Sequence, residues 1–344
     1  MKPEFKLLDR REFVNFVSRS AALLGLAKVG SESATAATTS AEQTSTNAFA
    51  YDVSRLQKTD PKLIAYEEVT RWRSPRTSVR QIAIGPGDQV HVCAGHYISV
   101  FNPQGQPAAE VALTGPADSL AVASDGTIYA GLRDHVEVFD AKGQRQAVWA
   151  APDRKSWLTG LAVGKQDVFA ADSGKRVIWH FDLAGKLLGR VGEKNASQNA
   201  PGFIVPSPFL QVAIHADGLL RVNNIGRHQV EAYTFAGEFE GAWGRITTAI
   251  DGFCGCCNPI GFALLPDGRF VTAEKGLPRV KIYNHVGEFE SVVAGAESFP
   301  ENARACNGLN DCAHGGLDVG VDGQGRIYIL DLVTSEVRVM KPRA

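Results

Sequence analysis

Five of the six cysteines in this 344-residue chain lie between Cys254 and Cys312, close enough in sequence for their thiols to act together. The first cluster is Cys254-Gly255-Cys256-Cys257-Asn258-Pro259. The second runs from Cys306 to Cys312, with His314 two residues beyond it. Thiolate and imidazole groups are the usual protein ligands of zinc and of iron–sulfur clusters. The cysteines are therefore candidate ligands, although their spacing matches no standard ferredoxin or zinc-finger pattern.

The same cysteines could instead form disulfides or remain inert thiols. Six is an even set, and an oxidising compartment favours disulfides. Cys256 and Cys257 are not expected to pair with each other, because adjacent Cα atoms lie about 3.8 Å apart and a disulfide usually needs about 4.4–6.8 Å. Cys93 is expected to lie next to the last repeat and to face the same side. The sequence therefore does not decide whether the cysteines hold a cofactor; an iron–sulfur cluster and zinc are the two candidates.

A repeated pattern fills the chain around these clusters and must position them. Its copies begin near Gln81, Ser119, Leu161, Phe209, Pro259 and Leu317. Each copy has four short segments in which apolar and polar residues alternate, as in half-buried strands; Val136-Glu137-Val138-Phe139 and Val280-Lys281-Ile282-Tyr283 are examples. Four strands in about 40 residues is the size of a propeller blade, which cannot bury its faces alone. We therefore predict an all-β fold, a six-bladed β-propeller of four-stranded antiparallel blades.

The last copy lacks one strand, which the start of the repeat region can supply. Residues 63–68 are expected to pair there and to close the ring, because closure removes free sheet edges. The Arg71-Trp72-Arg73 stretch is then expected to be a connector into the first blade. The Asp-Gly pairs at Asp125-Gly126, Asp217-Gly218 and Asp267-Gly268 suit hairpin turns that need a positive φ.

Several of these copies resemble NHL-type repeats. The likeness rests on patterns such as Val168-Phe169-Ala170-Ala171-Asp172 followed by Arg176-Val177, and it covers roughly residues 62–342. The Gly255-Cys256-Cys257-Asn258-Pro259 segment resembles a group of exported bacterial NHL proteins. This resemblance implies the propeller fold but no single activity, because such propellers include lyases, ligand binders and protein-interaction scaffolds.

Three connections between repeats are longer than the others, at residues 195–208, 247–258 and 297–316. Each joins the last strand of one blade to the first strand of the next, so all three emerge on one side of the ring, here called the insertion face. Insertions on one face of a repeat protein commonly form its binding surface. The Asn258-Pro259 pair is expected to aim the cysteine loop into the central channel. Candidate residues for partner binding on this face are Arg76, Arg80, His96, Trp157, Phe203, Asn258 and His314. The metal or disulfide candidates are Cys93, Cys254, Cys256, Cys257, Cys306 and Cys312.

The amino terminus resembles a twin-arginine export signal. Asp9-Arg10-Arg11-Glu12-Phe13-Val14 is followed by apolar residues 21–27 and by the small residues Ala34-Thr35-Ala36, in the order of a cleavable signal. Seven apolar residues are too few to cross a bilayer, which takes about 20. We predict a signal over residues 1–36, a disordered Ser/Thr/Ala/Gln-rich linker over residues 37–61 and a propeller over residues 62–344, exported to the periplasm.

The charge balance and the hydropathy of the chain argue against two kinds of partner, nucleic acid and the membrane interior. The chain has 36 Lys and Arg against 37 Asp and Glu, so it lacks the basic surplus of a nucleic-acid-binding protein. No segment after the signal is apolar enough to span a membrane. We expect a protein, a peptide or a small ligand on the insertion face. The favoured hypothesis is an exported binding or interaction propeller. A redox protein with a cofactor held by the cysteines of blades five and six is the alternative, and a metal-dependent lyase or hydrolase is a weaker one.

Overall fold

The alternating segments of the repeats form 24 strands in the computed structural model, which describes residues 54–300 and 315–343. Strands are numbered in chain order. The first blade consists of β2 (Val79–Ile84), β3 (Val90–Ala94), β4 (Tyr97–Phe101) and β5 (Pro107–Ala112). The second consists of β6 (Ala117–Val122), β7 (Ile128–Leu132), β8 (His135–Phe139) and β9 (Arg145–Ala150). The third consists of β10 (Leu158–Val163), β11 (Asp167–Asp172), β12 (Val177–Asp182) and β13 (Leu187–Val191).

The remaining blades follow the same order, from the innermost strand outwards. The fourth consists of β14 (Val212–Ile214), β15 (Leu220–Asn224), β16 (Gln229–Tyr233) and β17 (Phe239–Trp243). The fifth consists of β18 (Gly261–Leu264), β19 (Phe270–Ala273), β20 (Val280–Tyr283) and β21 (Phe289–Ala294). The sixth consists of β22 (Leu317–Val321), β23 (Ile327–Asp331), β24 (Glu336–Pro342) and β1 (Tyr66–Arg73). Short 3-10 helices occupy Ser54–Gln57, Pro61–Leu63, Pro86–Asp88, Ala196–Gln198 and Ala296–Ser298.

The predicted six-bladed propeller, closed by an amino-terminal strand, is confirmed. Strand β1 runs antiparallel to β24, from Tyr66 opposite Pro342 to Arg73 opposite Glu336. The closing strand begins later and extends further than residues 63–68, so the expected connector around Trp72 is itself part of the strand. The Trp72 ring packs 5.9 Å from that of Phe101, which ties the closing strand to the first blade.

The core is divided into hydrophobic clusters, and among the described residues one lies between each pair of neighbouring blades. The sequence predicted strands with one buried and one exposed face, but this packing buries both faces of the inner strands. All four residues of β20 are buried, and the side chains of Glu137 and Lys281 are 0% exposed. Since blades cover one another on both faces, polar residues at these positions must find buried partners.

One aligned position in or directly before each innermost strand links the blades around the axis. It is occupied by Gln81, Ser119, Gly160, Gln211, Gly261 and Asp318. The side chain of Gln81 accepts the N–H of Leu120 at 2.7 Å, and the hydroxyl of Ser119 donates to the carbonyl of Leu158 at 3.0 Å. Side chains therefore supplement hydrophobic packing where one inner strand meets the next.

The longest of these links spans the fifth blade. Gln211 accepts the N–H of Phe262 at 3.2 Å and donates to Asp318 at 2.9 Å, while the other oxygen of Asp318 accepts the N–H of Ile82 at 2.9 Å. A Cβ at Gly261 would lie 3.0 Å from the Asp318 carboxylate. The repeat therefore has glycine here because the link passes close to this backbone.

No helix in the described residues is long and apolar enough to cross a membrane.

Candidate binding site on the insertion face

The cysteine loop, residues 244–260, connects β17 to β18 on the insertion face. Cys254 in this loop is half-buried, Cys256 is exposed and Cys257 is buried. The sulfurs of Cys256 and Cys257 lie 3.2 Å apart. No disulfide joins any two of the four cysteines in the described residues. The other candidates, Cys306, Cys312 and His314, lie outside the described residues.

A buried charge cluster of Glu274, Arg279 and Lys281 lies against the cysteine loop. Arg279 makes a two-point contact with the Glu274 carboxylate, with Nε and Nη2 at 2.9 and 2.8 Å. Lys281 Nζ lies 2.9 Å from Glu274 Oε1 and donates to the carbonyls of Ile250 and Gly252 at 3.0 and 2.6 Å. These carbonyls belong to the loop, so the buried charge cluster braces the loop, whereas bracing by the cysteines stays a prediction.

The cluster also sets the protonation of nearby groups. Burial lowers the pKa of Lys281 to about 8, against the opposing pull of Glu274. Burial acts in the same direction on Arg279, but the Glu274 carboxylate outweighs it and raises the pKa of Arg279. Burial, with a smaller contribution from Glu274, raises the pKa of Cys254. Cys254 is therefore a neutral thiol at neutral pH, and it receives a long contact of 3.6 Å from Arg279 Nη2.

Asn258 holds the loop rather than facing a partner. It is 1% exposed, and its amide donates to the carbonyls of Cys254 and Lys275 and accepts the N–H of Lys275 at 2.9 Å. Its proposed place on the partner face is therefore corrected, because every polar atom of its side chain is used within the fold. These bonds tie the cysteine loop to the backbone of Lys275; the prediction that Asn258-Pro259 aims the loop into the central channel stays a prediction.

Two other candidates belong to the core. Cys93 is 0% exposed and packs with Ile98 and Leu120, so it faces blade two rather than blade six, and burial raises its pKa to about 12. Phe203 is 6% exposed, with its ring 5.6 Å from that of Tyr233. Neither side chain lines the surface, because the blades on both sides enclose it.

Arg80 and Trp157 are brought together on one carboxylate, that of Asp118. Arg80 Nε lies 3.0 Å from Asp118 Oδ1, and the indole N–H of Trp157 donates to Asp118 Oδ2 at 2.7 Å. The three residues stand at or just before the innermost strands β2, β6 and β10. Their bonds therefore join blades one, two and three on the insertion face and fix the orientation of the Trp157 ring.

A cavity of about 430 Å³ opens beside this chain of bonds. We call it the blade 1–3 cavity; it is lined by Ser78, Arg80, Gly95, Pro116, Ala117, Asp118, Arg133 and Trp157. The guanidinium of Arg133 lies 4.3 Å from the Trp157 ring centroid, in cation–π geometry. Arg133 is exposed, and no carboxylate of the described residues lies within ion-pair distance of it. The cavity thus carries a fixed aromatic ring with an exposed cation above it.

Arg76 and His96 lie farther out on the first blade. Arg76 forms a two-point ion pair with Glu110 at 2.9 and 2.7 Å, and its guanidinium lies 3.9 Å from the Tyr97 ring centroid. Both Arg76 and His96 line a more open cavity of about 460 Å³. Because Glu110 already neutralises Arg76, this arginine is less suited to bind an anion than Arg133 is.

The sequence did not reveal Asp118, Arg133 or the buried charge cluster. Asp118 and Arg133 stand in ordinary turn and strand-end positions, and only the ring places them beside Trp157. Lys281 occupies a polar position of the alternating Val280-Lys281-Ile282-Tyr283 segment, so the sequence predicted a solvent-facing side chain there, and the structure buries it. The described residues hold no group of three or more His, Cys, Asp or Glu side chains arranged to bind a metal ion.

Comparisons with known proteins support the architecture. No protein-family model matches the chain, and a search of curated proteins found no match. Among solved structures, virginiamycin B lyase from Staphylococcus aureus, in selenomethionine form, is similar with a TM-score of 0.55 and 15% identity over 81% of this chain and 100% of that one. A streptogramin B lyase structure gives 0.55 and 14%, over 81% and 97%.

A catalytically inactive histidine-to-alanine variant of the Staphylococcus aureus enzyme, solved with quinupristin, gives a TM-score of 0.55 and 15% identity. It covers 81% of this chain and 100% of its own. At 14–15% identity these likenesses establish the fold alone. The chain is a six-bladed β-propeller with streptogramin B lyase-like structural neighbours.

Proposed function

We propose that this chain is an exported binding propeller that takes a small organic anion into the blade 1–3 cavity. The observation that carries the proposal is Arg133, an exposed cation stacked on the fixed Trp157 ring. A volume of about 430 Å³ falls within the range of small-molecule sites. A protein or peptide partner would reach the same site through an acidic or carboxyl-terminal group.

The chemistry of the cavity favours a ligand with a carboxylate or similar anion beside an apolar plane. Asp118 already accepts from Arg80 and Trp157, so its charge is largely compensated within the protein. Arg133 then gives the opening a net positive character, and its planar guanidinium suits two-point bonding to a carboxylate. The Trp157 ring provides an apolar surface whose orientation costs nothing at binding, because the fold has already fixed it.

Arg133→Ala is expected to weaken the binding of benzoate and related aromatic carboxylates at least about tenfold, which corresponds to about 1.4 kcal/mol. Binding is measured by calorimetry and by quenching of tryptophan fluorescence, with benzamide as the uncharged analogue. Arg154→Ala is the matched control, since Arg154 is an exposed arginine on the connection that carries Trp157 but does not line the cavity. The proposal is wrong if no aromatic carboxylate binds saturably, or if both variants bind as the wild type does.

The cysteine-held cofactor and the metal-dependent lyase remain the alternative functions. Of the five candidate cysteines in blades five and six, three share the cysteine loop, and the other two, with His314, lie outside the described residues. The structural neighbours are named as lyases of virginiamycin B and streptogramin B, and at 14–15% identity they carry no activity to this chain. Metal analysis and an absorption spectrum of protein purified without air distinguish these alternatives from a binding propeller.

Export by the twin-arginine route is part of the proposal and rests on the sequence of residues 9–14. Replacing Arg10 and Arg11 together by lysine is expected to leave the precursor in the cytoplasm, because the export machinery reads that pair. Cell fractionation of a bacterial host measures how the protein is distributed between cytoplasm and periplasm. Arg19→Lys is the control, because Arg19 lies in the signal region but outside the pair. Normal periplasmic accumulation of the double variant would contradict the assignment.

A further inference from the structure

Exposed cations continue from the blade 1–3 cavity across blades two and three. They lie on three segments: the turn of residues 133–134 between β7 and β8, the connection of residues 151–157, and the turn of residues 173–176 between β11 and β12. Because neighbouring strands are antiparallel, these turns emerge on the same side as the connections between blades, the insertion face. Arg133 is the first of the cations, since it already stacks on Trp157 at the cavity. We call the exposed side chains of these four residues the basic ridge: Arg133, Lys155, Lys175 and Arg176.

The fold holds the connection and the blade-three turn against each other. One oxygen of the Asp172 carboxylate, which is 0% exposed, accepts the N–H of Trp157 at 2.9 Å and the N–H of Lys175 at 3.0 Å. A Cβ at Gly174 would lie 2.1 Å from the carbonyl oxygen of Lys155, so the turn has glycine where the connection passes against it. The backbone that carries the basic ridge is therefore fixed relative to the Trp157 ring.

Three of the four ridge cations have no carboxylate beside them. Lys175 Nζ lies 2.8 Å from Asp153 Oδ2, which compensates that cation. Asp134 Oδ1 lies 2.8 Å from His135 Nδ1. In the part of the chain that the structure describes, no carboxylate lies within ion-pair distance of the other three ridge cations. The ridge therefore has a surplus of positive charge in a chain with 36 basic and 37 acidic residues, and such a surface favours an acidic partner.

The cavity and the basic ridge together select a peptide among acidic partners. The cavity offers Arg133 and the plane of Trp157 to one group of the ligand. A carboxyl-terminal aromatic residue carries both a carboxylate and an aromatic ring, whereas a nucleic acid lacks the carboxylate and a polyuronate lacks the aromatic ring. The remaining ridge cations can then pair with acidic side chains that precede this terminal residue.

We propose that the insertion face binds an acidic peptide that ends in an aromatic residue. The terminal residue enters the blade 1–3 cavity, and Asp or Glu side chains lie along the basic ridge. This inference rests on the proposed function, because the cavity anchors the peptide. Exposed ion pairs are weak one by one, but here they are linked to an anchored group and strengthen binding together.

The test compares two peptides on the full-length chain, acetyl-Glu-Glu-Glu-Phe and acetyl-Ser-Ser-Ser-Phe, each with a free carboxyl terminus. In calorimetry at low salt the Glu peptide should bind at least about tenfold more tightly than the Ser peptide, because several exposed ion pairs add to the anchor. This advantage should shrink as the salt concentration rises towards about 1 M, where exposed charges are screened.

Lys155→Ala together with Arg176→Ala should reduce the advantage of the Glu peptide to about twofold or less. Both side chains are exposed, so this double variant should melt at the temperature of the wild type. Lys142→Ala together with Lys186→Ala is the matched control. It removes two exposed cations from turns of the same two blades on the opposite face, and it should keep the wild-type advantage.

Benzoate binding to the wild type, measured alongside, tests the cavity without the ridge. If benzoate binds but the two peptides bind equally, the ridge inference is wrong and the proposed function stands. If neither benzoate nor either peptide binds, the proposed function fails and the inference fails with it. An advantage that is insensitive to salt, an equal loss in both double variants, or tighter binding of a polyuronate than of the Glu peptide would overturn the assignment to an acidic peptide.

Discussion

Replacing Lys281 by methionine is expected to destabilise the propeller by about 3–5 kcal/mol, the usual cost of removing one partner from a buried ion pair. Methionine fits the volume of the lysine stem, so lost packing contributes little. The cost arises because the carbonyls of Ile250 and Gly252 lose the Lys281 donor, and Glu274 loses one of its two buried cations and retains Arg279 and the N–H of Cys254. The cysteine loop should therefore loosen as well.

Denaturant unfolding measures the stability change, and the rate of thiol labelling at Cys254 and Cys256 measures the loop. Lys186→Met is the matched control, because it makes the same replacement at an exposed turn and should change stability by less than about 0.5 kcal/mol. The double variant Glu274→Gln with Lys281→Met should cost less than the sum of its single variants, because the two groups are coupled. Equal stability and equal labelling rates in Lys281→Met and Lys186→Met would contradict the bracing role.

Asp318 should make the stability of the propeller depend on pH between about 4 and 7. Burial in the ring of inner strands raises the pKa of its carboxyl to about 6, from an ordinary value of 3.8. The folded state therefore holds a proton that the unfolded state releases. The stability that this group contributes is fully present below about pH 4 and is lost as the pH rises through 6. A shift of about two pKa units corresponds to about 3 kcal/mol.

The measurement compares wild type with Asp318→Asn, whose amide does not titrate. Other carboxyl groups contribute to both proteins and cancel in the difference. The unfolding free energy of the wild type, minus that of the variant, should fall by about 3 kcal/mol from pH 4 to pH 7. The amide cannot accept at both of its polar atoms, so an offset that is independent of pH is expected too. A difference that stays constant over this range would show that the carboxyl is not held protonated at low pH by burial.

The repeats made the blades predictable, because a strand's alternation and a glycine turn are local properties of the chain. Gly126 and Gly268 adopt the positive φ that their Asp-Gly turns required, at 88° and 87°. The closing strand was predictable from the number of strands in each repeat, since the last repeat has one strand fewer than the others. The bounds of this strand were not predictable. Arg71, Trp72 and Arg73 have the composition of a polar connector, and only their pairing with β24 shows that they belong to the sheet.

The site was less predictable, because it depends on which residues of distant repeats meet. The sequence drew attention to Arg80, Trp157 and the cysteine loop, all of which lie on the insertion face. It could not show that Asp118 joins the first two, since each comes from a different blade. It also placed Phe203 and Asn258 on the surface, where burial between blades and backbone bonding exclude them.

The sequence by itself determined the number of blades, the strand order and the face that carries the long connections, because each follows from local pattern and repeat spacing. The tertiary structure alone decided what the polar residues do. Glu274, Arg279 and Lys281 are ordinary charged residues of one repeat until the neighbouring loop encloses them and makes them its brace. Arg133 and Trp157 become a site only because the ring of blades brings their separate turns together. Closure of the ring, which no single repeat encodes, sets these distances.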